Sequence, residues 1–214
     1  MKTAIEAFLL VYAGLFPVVN PVGNAPIFLA LTANRSVEVQ GKLTSQVALN
    51  GLLLLLGALF VGSYVLFFFG ITVPVLRIAG GLAVAAFGWR VLSDGGASSH
   101  EVEATEGTVE AFYPLTLPLT VGPGSISVAI ALGTQRPRIL DDFQAGLTAG
   151  LGAIAGLIAI SFTVFVCYRF AGRMVGVLGS GGINVLTRMS GFFLLCIGIQ
   201  IIWGGVSALT GLPE

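Results

Sequence analysis

Two long apolar segments of this chain are interrupted near their centres by residues that stop helices. The first break, Asn20-Pro21-Val22-Gly23-Asn24-Ala25-Pro26, lies inside the apolar run from Ala4 to Ala33. The second, Pro118-Leu119-Thr120-Val121-Gly122-Pro123-Gly124, lies inside the run from Phe112 to Thr134. Proline has no amide hydrogen to give a helix, and its ring collides with the carbonyl one turn back. In hydrocarbon the freed backbone groups find no water, so such segments survive only inside protein or beside a cavity. One interrupted span in each half of a chain is the sequence pointer to a carrier's central binding site.

Composition says that hydrocarbon is the solvent. Only 9% of the 214 residues are charged and 56% are hydrophobic, with a mean hydropathy of +0.98. A soluble domain carries about 25% charged residues, so the chain is expected to be an integral membrane protein. Its zero net charge removes the usual argument for a nucleic-acid partner. A cleaved signal peptide is not expected, because Glu6 sits early in the first apolar run and no small-x-small site follows. Cys167 and Cys196 lie in apolar stretches without metal-ligand spacing, and His100 falls in a polar loop, so no metal or cofactor is expected.

Six runs approach the roughly 20 apolar residues a spanning helix needs: Ala4 to Ala33, Thr44 to Phe69, Pro74 to Leu92, Phe112 to Thr134, Phe143 to Cys167 and Ile183 to Leu209. Residues 94–111, with Asp94, Glu101, Glu103, Glu106 and Glu110, read as a solvated acidic linker. The linker separates a three-helix unit at 1–93 from a second at 112–214. The units echo each other: Pro17 and Gly23 keep the same interval as Pro118 and Gly124, and Arg77-Ile-Ala-Gly80 answers Arg188-Met-Ser-Gly191. Three spans per unit put the second unit upside down. The expected fold is therefore an all-α membrane protein of six transmembrane helices, a 3+3 inverted-topology repeat with broken first and fourth helices. Arginine and lysine placement favours both termini outside. In the fifth span, Gly146-x-x-x-Gly150, Ala149-x-x-x-Ala153 and Gly152-x-x-x-Gly156 allow close helix approach, as does Gly81-x-x-x-Ala85 in the third.

An interrupted helix brings two opposite dipole ends to one place. The half-helix restarting near Ala25 offers amides to an anion, and the half ending near Val19 offers carbonyls to a cation. A small zwitterion fits such a pair. Asn20, Pro21, Gly23 and Asn24 from the first break, with Thr120, Gly122, Pro123, Gly124 and Ser125 from the second, are the expected substrate-binding residues. Ser127 adds a further hydroxyl. Asn24 and Ser125 also fit a helix-capping role. Gln46, Asn50, Arg77, Arg188 and Gln200 are expected one step further out, where Gln200 alternatively bonds a neighbouring helix and the arginines alternatively snorkel to lipid phosphates. Every Asp and Glu lies outside the spans except Glu6, so coupling to protons or sodium would have to use Glu6 or backbone carbonyls. No catalytic constellation lies at membrane depth, and an enzyme is not expected.

The motifs Asn20-Pro21-Val22-Gly23-Asn24-Ala25-Pro26-Ile27-Phe28 and Pro114-Leu-Thr-Leu-Pro118-Leu-Thr-Val-Gly122-Pro123-Gly124-Ser125-Ile126 resemble those of the MarC family of bacterial and archaeal inner-membrane proteins. The resemblance runs over essentially the whole chain. It implies kinship with small neutral amino acid transporters, which move glycine, alanine and similar substrates with a dependence on proton-motive force, and distantly with LysE-type exporters. It also implies that residues 20 to 26 and 118 to 125 surround the substrate. The expectation is thus a multi-pass inner-membrane secondary transporter for small neutral amino acids, working by alternating access. A channel or exporter for another small metabolite, drug or ion is the alternative, and homo-oligomerisation is left open.

Overall fold

A computed structural model describes residues 4–94, 110–134 and 143–211. Most of the acidic linker, His100, Arg136 and Arg138 lie outside the described residues. The described chain is helical: α1 (Ala4–Val19), α2 (Pro21–Leu31), α3 (Val37–Phe68), α4 (Val73–Asp94), a π-helical segment (Leu115–Thr120), α5 (Pro123–Thr134), α6 (Phe143–Arg169) and α7 (Ala171–Thr210). Four helices are long and apolar enough to cross a membrane, and α1 with α2, bent by 42°, makes up to five. The expected fourth span, Phe112 to Thr134, does not reach that length as a regular helix. Its regular part, α5, has 12 residues, about 18 Å at the α-helical rise.

Helix α7 also departs from the sequence expectation. It begins at Ala171 and is split at Gly179, whose φ of 65° and ψ of 175° only glycine adopts readily. Arg188 therefore lies more than two turns beyond the split, and it is exposed.

Lipid offers no hydrophobic drive for helices to associate, so close packing must hold them. The most extensive pairing is α4 with α7, followed by α1 with α6. Glycines build the first of these. Gly81 and Gly88 on α4 face Gly191, Gly198 and Gly205 on α7, each series spaced by seven residues and hence on one stripe. A Cβ at Gly88 would stand 2.5 Å from Leu195 N and 2.8 Å from Gly191 O. The α1–α6 pair uses the Gly152-x-x-x-Gly156 motif, where a Cβ at Gly152 would stand 2.1 Å from Ala4 O. By contrast, Gly150 faces open space.

Packing also exchanges across the chain. Helix α2 lies against α6 and α7, while α5 lies against α3 and α4. Each short helix that follows a break is thus held by the two long helices of the other half.

Candidate functional site

At the first break the helix stops for one residue only. Asn20 takes the left-handed conformation, φ 47° and ψ 56°, and α2 restarts at once with Pro21 as its first residue. That position suits proline, whose missing amide would have had no partner there. The helix therefore restarts four residues before the expected Ala25, and Pro26 sits inside α2.

This small defect has one large consequence. The Gly23 amide, which in an unbroken helix would bond Val19 O, donates instead to Asn20 Oδ1 at 3.2 Å. Gly23 has to be glycine for this to happen, since a Cβ there would stand 2.3 Å from Asn20 Nδ2. Val19 O is left to the side chain of Asn24, whose Nδ2 donates to it at 3.0 Å. The same Nδ2 donates to Leu119 O of the second break at 2.8 Å. Asn24 is 2% exposed. One buried amide thereby joins the two interruptions, across 95 residues of sequence.

The second break is longer and is not a mirror copy of the first. Val121 N bonds Thr116 O at 2.8 Å and Leu117 N bonds Phe112 O at 2.9 Å, the wide spacing of a π-helix. Leu117 is extended (φ −109°, ψ 127°), and the peptides before Pro114 and Pro118 are cis. No regular helix precedes this segment among the described residues, so the expected carbonyl end of a half-helix is replaced by an irregular coil. Two hydroxyls satisfy that coil from within: Thr116 Oγ1 donates to Ala111 O and Thr120 Oγ1 to Leu115 O, both at 2.7 Å.

Thr120 Oγ1 also lies 2.9 Å from Tyr168 Oη of α6, and the Tyr168 ring stacks on Phe28 of α2 with centroids 4.5 Å apart. Tyr168 and Phe28 had no place in the expected site. The available signal was a tyrosine at the very end of an apolar run, since a buried phenol needs a hydrogen-bond partner. Tyr168→Phe should keep the stack and lose one hydrogen bond worth about 1 kcal/mol. Thermal unfolding in detergent should then show a midpoint lowered by about 2–4 °C; an unchanged midpoint would remove Tyr168 from the support of the second break.

The other expected residues divide into two groups. Pro21 and Gly23 are buried beside Asn24, and Gly122 lies close to Pro118 O. Pro123 is exposed as the first residue of α5. Gly124 serves packing, and the Ser125 hydroxyl bonds a carbonyl of the break instead of capping an amide. A Cβ at Gly124 would stand 2.0 Å from Val84 Cγ2 of α4, and Ser125 Oγ donates to Gly122 O at 3.0 Å. A large side chain at Gly124 would therefore push α5 off α4 as well as disturb the break. Asn50 is half-buried beside Gly51. Arg77 is half-buried with its stem against Gly205. Gln46 and Gln200 are exposed on α3 and α7 and do not join the centre, contrary to expectation, because the inward stripe of each helix is occupied by other residues such as Val47 and Gly198.

A narrow cleft lies between α3 and α6, and Val19, Thr120 and Ser161 are among the residues that line it. About 10 Å3 of it is open to the centre of a water molecule, which is the room for one.

The family described as MarC family integral membrane protein matches residues 5–210. A membrane protein of Pyrococcus abyssi is 32% identical over 215 residues, covering 99% of this chain and 100% of the relative. The inner membrane protein MarC of Salmonella typhimurium is 33% identical over 201 residues, covering 90% of each. The membrane protein YhcE of Escherichia coli is 32% identical over 203 residues, covering 92% of this chain and 91% of the relative. No solved structure matches.

Proposed function

Since the chain belongs to the MarC family of integral membrane proteins, we propose that it is a secondary transporter that carries small neutral amino acids by alternating access. The cargo sits where the two breaks meet. The observation that carries this reading is the Asn24 amide, which gathers Val19 O and Leu119 O into one buried polar centre. Irregular backbone that converges inside an apolar helical body is the architecture of carrier binding sites.

The chain is a 3+3 inverted repeat in this reading. The first unit is α1–α2, α3 and α4; the second is the 110–134 segment, α6 and α7. The exchanged packing of α2 and α5 supports it, because units related by a twofold axis in the membrane plane present equivalent faces to each other. Rocking of one unit against the other would open the centre to each side in turn. Both termini lie outside, and the carrier performs no chemistry on its cargo. Asn20, Pro21, Gly23, Asn24, Thr120 and Gly122 surround the cargo, with Pro123, Gly124 and Ser125 holding the second break in shape.

Proteoliposomes containing the purified protein should take up labelled glycine and alanine saturably, above empty liposomes and with mutual competition. Absence of saturable flux across a broad panel of amino acids, under imposed proton and sodium gradients, would count against the proposal.

A further inference from the structure

We infer that the cleft between α3 and α6 is the subsite for the side chain of the cargo, and that Gly51 sets the largest side chain it admits. The inference rests on the reading of the two breaks as the cargo site, and it concerns what that site selects.

Position comes first. The cleft is lined by Val19 from the first break and by Thr120 and Val121 from the second, together with residues of the two long helices α3 and α6. A cargo whose charged backbone groups face the breaks can place its side chain in this cleft.

Chemistry comes next. Leu55 of α3 and Ile160 and Val164 of α6 supply branched apolar walls, each at most 2% exposed. Two hydroxyls join the lining, Ser161, which is buried, and Thr120, which already bonds Leu115 O and Tyr168 Oη. Such a wall accepts a hydrogen atom or a short aliphatic group and offers nothing to a charged one, whose burial without a partner is costly.

Size completes the argument. The space fits a single water, which is also close to the bulk of one methyl group. It exists because position 51 has no side chain. A Cβ built on Gly51 would stand 3.3 Å from Val121 Cγ2, so a methyl there fills the cleft while Val121 yields by a few tenths of an ångström. Ile160 lines the same space from α6.

The experiment compares full-length wild type with Gly51→Ala and Ile160→Ala in proteoliposomes. Each takes up labelled glycine against unlabelled glycine, alanine, 2-aminobutyrate and valine. Wild type should be inhibited by glycine and alanine far more than by valine. Gly51→Ala should keep glycine uptake while inhibition by alanine weakens about tenfold relative to glycine, and Ile160→Ala should strengthen 2-aminobutyrate or valine by about the same factor, the discrimination that one methylene supplies. Glycine uptake with the wild-type order of inhibitors in both variants overturns the inference and leaves the transport reading standing. Uptake that falls in parallel for all competitors overturns it too, by assigning Gly51 to packing alone. Absence of glycine uptake in wild type removes the transport reading and this inference together. Size-exclusion elution checks that each variant is folded; should Gly51→Ala fail there, Ile160→Ala and Val164→Ala carry the test.

Discussion

Asn24→Leu should abolish transport and lower the thermal unfolding midpoint more than any other single change at the breaks. Leucine has the same number and branching of side-chain heavy atoms as asparagine but donates nothing, so Val19 O and Leu119 O both lose the Asn24 bond in the protein interior. A buried acceptor without its donor costs about 1–3 kcal/mol, and here two are affected at once. Asn24→Asp should be as damaging at neutral pH, because a carboxylate would face two carbonyl oxygens. The neighbouring cap behaves differently. Asn20→Gly keeps the left-handed conformation without strain and gives up one bond to Gly23 N, a change of only a few tenths of a kcal/mol for an N-cap. Unfolding midpoints and glycine flux of the three variants test this ranking. An Asn24→Leu protein that unfolds like wild type would show that the bridge between the breaks carries no weight.

The second large effect is expected far from the breaks, on the stripe where α4 meets α7. Gly205→Ala should prevent the protein from accumulating as a monodisperse species, because its Cβ would stand 2.8 Å from Pro74 O and 2.7 Å from Ile78 Cγ1. Gly198→Ala should do the same, with Ala85 N 2.4 Å away. The obstacles include backbone atoms, which cannot swing aside, so the cost should reach or exceed the roughly 1–3 kcal/mol of an overpacked core. The adjacent residue is the control. Nothing lies within 4 Å of a Cβ at Gly204, so Gly204→Ala should be neutral or stabilising by about 0.5–1 kcal/mol, as for glycine in a helix interior. Yield and elution profile after detergent extraction distinguish the pair. Equal behaviour of Gly204→Ala and Gly205→Ala would dismiss the stripe as the fastening between these helices.

The places of both breaks could be read from proline and glycine alone, because those residues act through local backbone geometry. The extent of each break could not. Asn20 confines the first to one residue by accepting from Gly23, which depends on a side-chain conformation rather than on a pattern of residue types. The second break spreads over a π-helical turn because Thr116 and Thr120 satisfy carbonyls five residues back, and two threonines in an apolar run carry no such label. Residue 24 was singled out with two roles, capping and ligand contact; the bond it makes to Leu119 O is a third, visible only once residues distant in sequence are placed together. Gln46 and Gln200 were misplaced for a related reason. Polarity in a span marks a residue as unusual but not which way it faces. The α4–α7 glycines were partly legible: Gly81-x-x-x-Ala85 pointed to the surface on one side, while the seven-residue spacing of Gly191, Gly198 and Gly205 went unread among 30 glycines.

The buried polar residues of the described chain, Asn24, Thr32, Thr44, Thr116, Thr120, Ser125, Ser127, Ser161, Thr187 and Ser207, are all uncharged. With no carboxylate, amine, guanidinium or imidazole in that set, acidity and ionic strength have little inside the scaffold to act upon between about pH 5 and 8. A pH dependence of flux over that interval would accordingly report the driving ion rather than a titration of these buried residues.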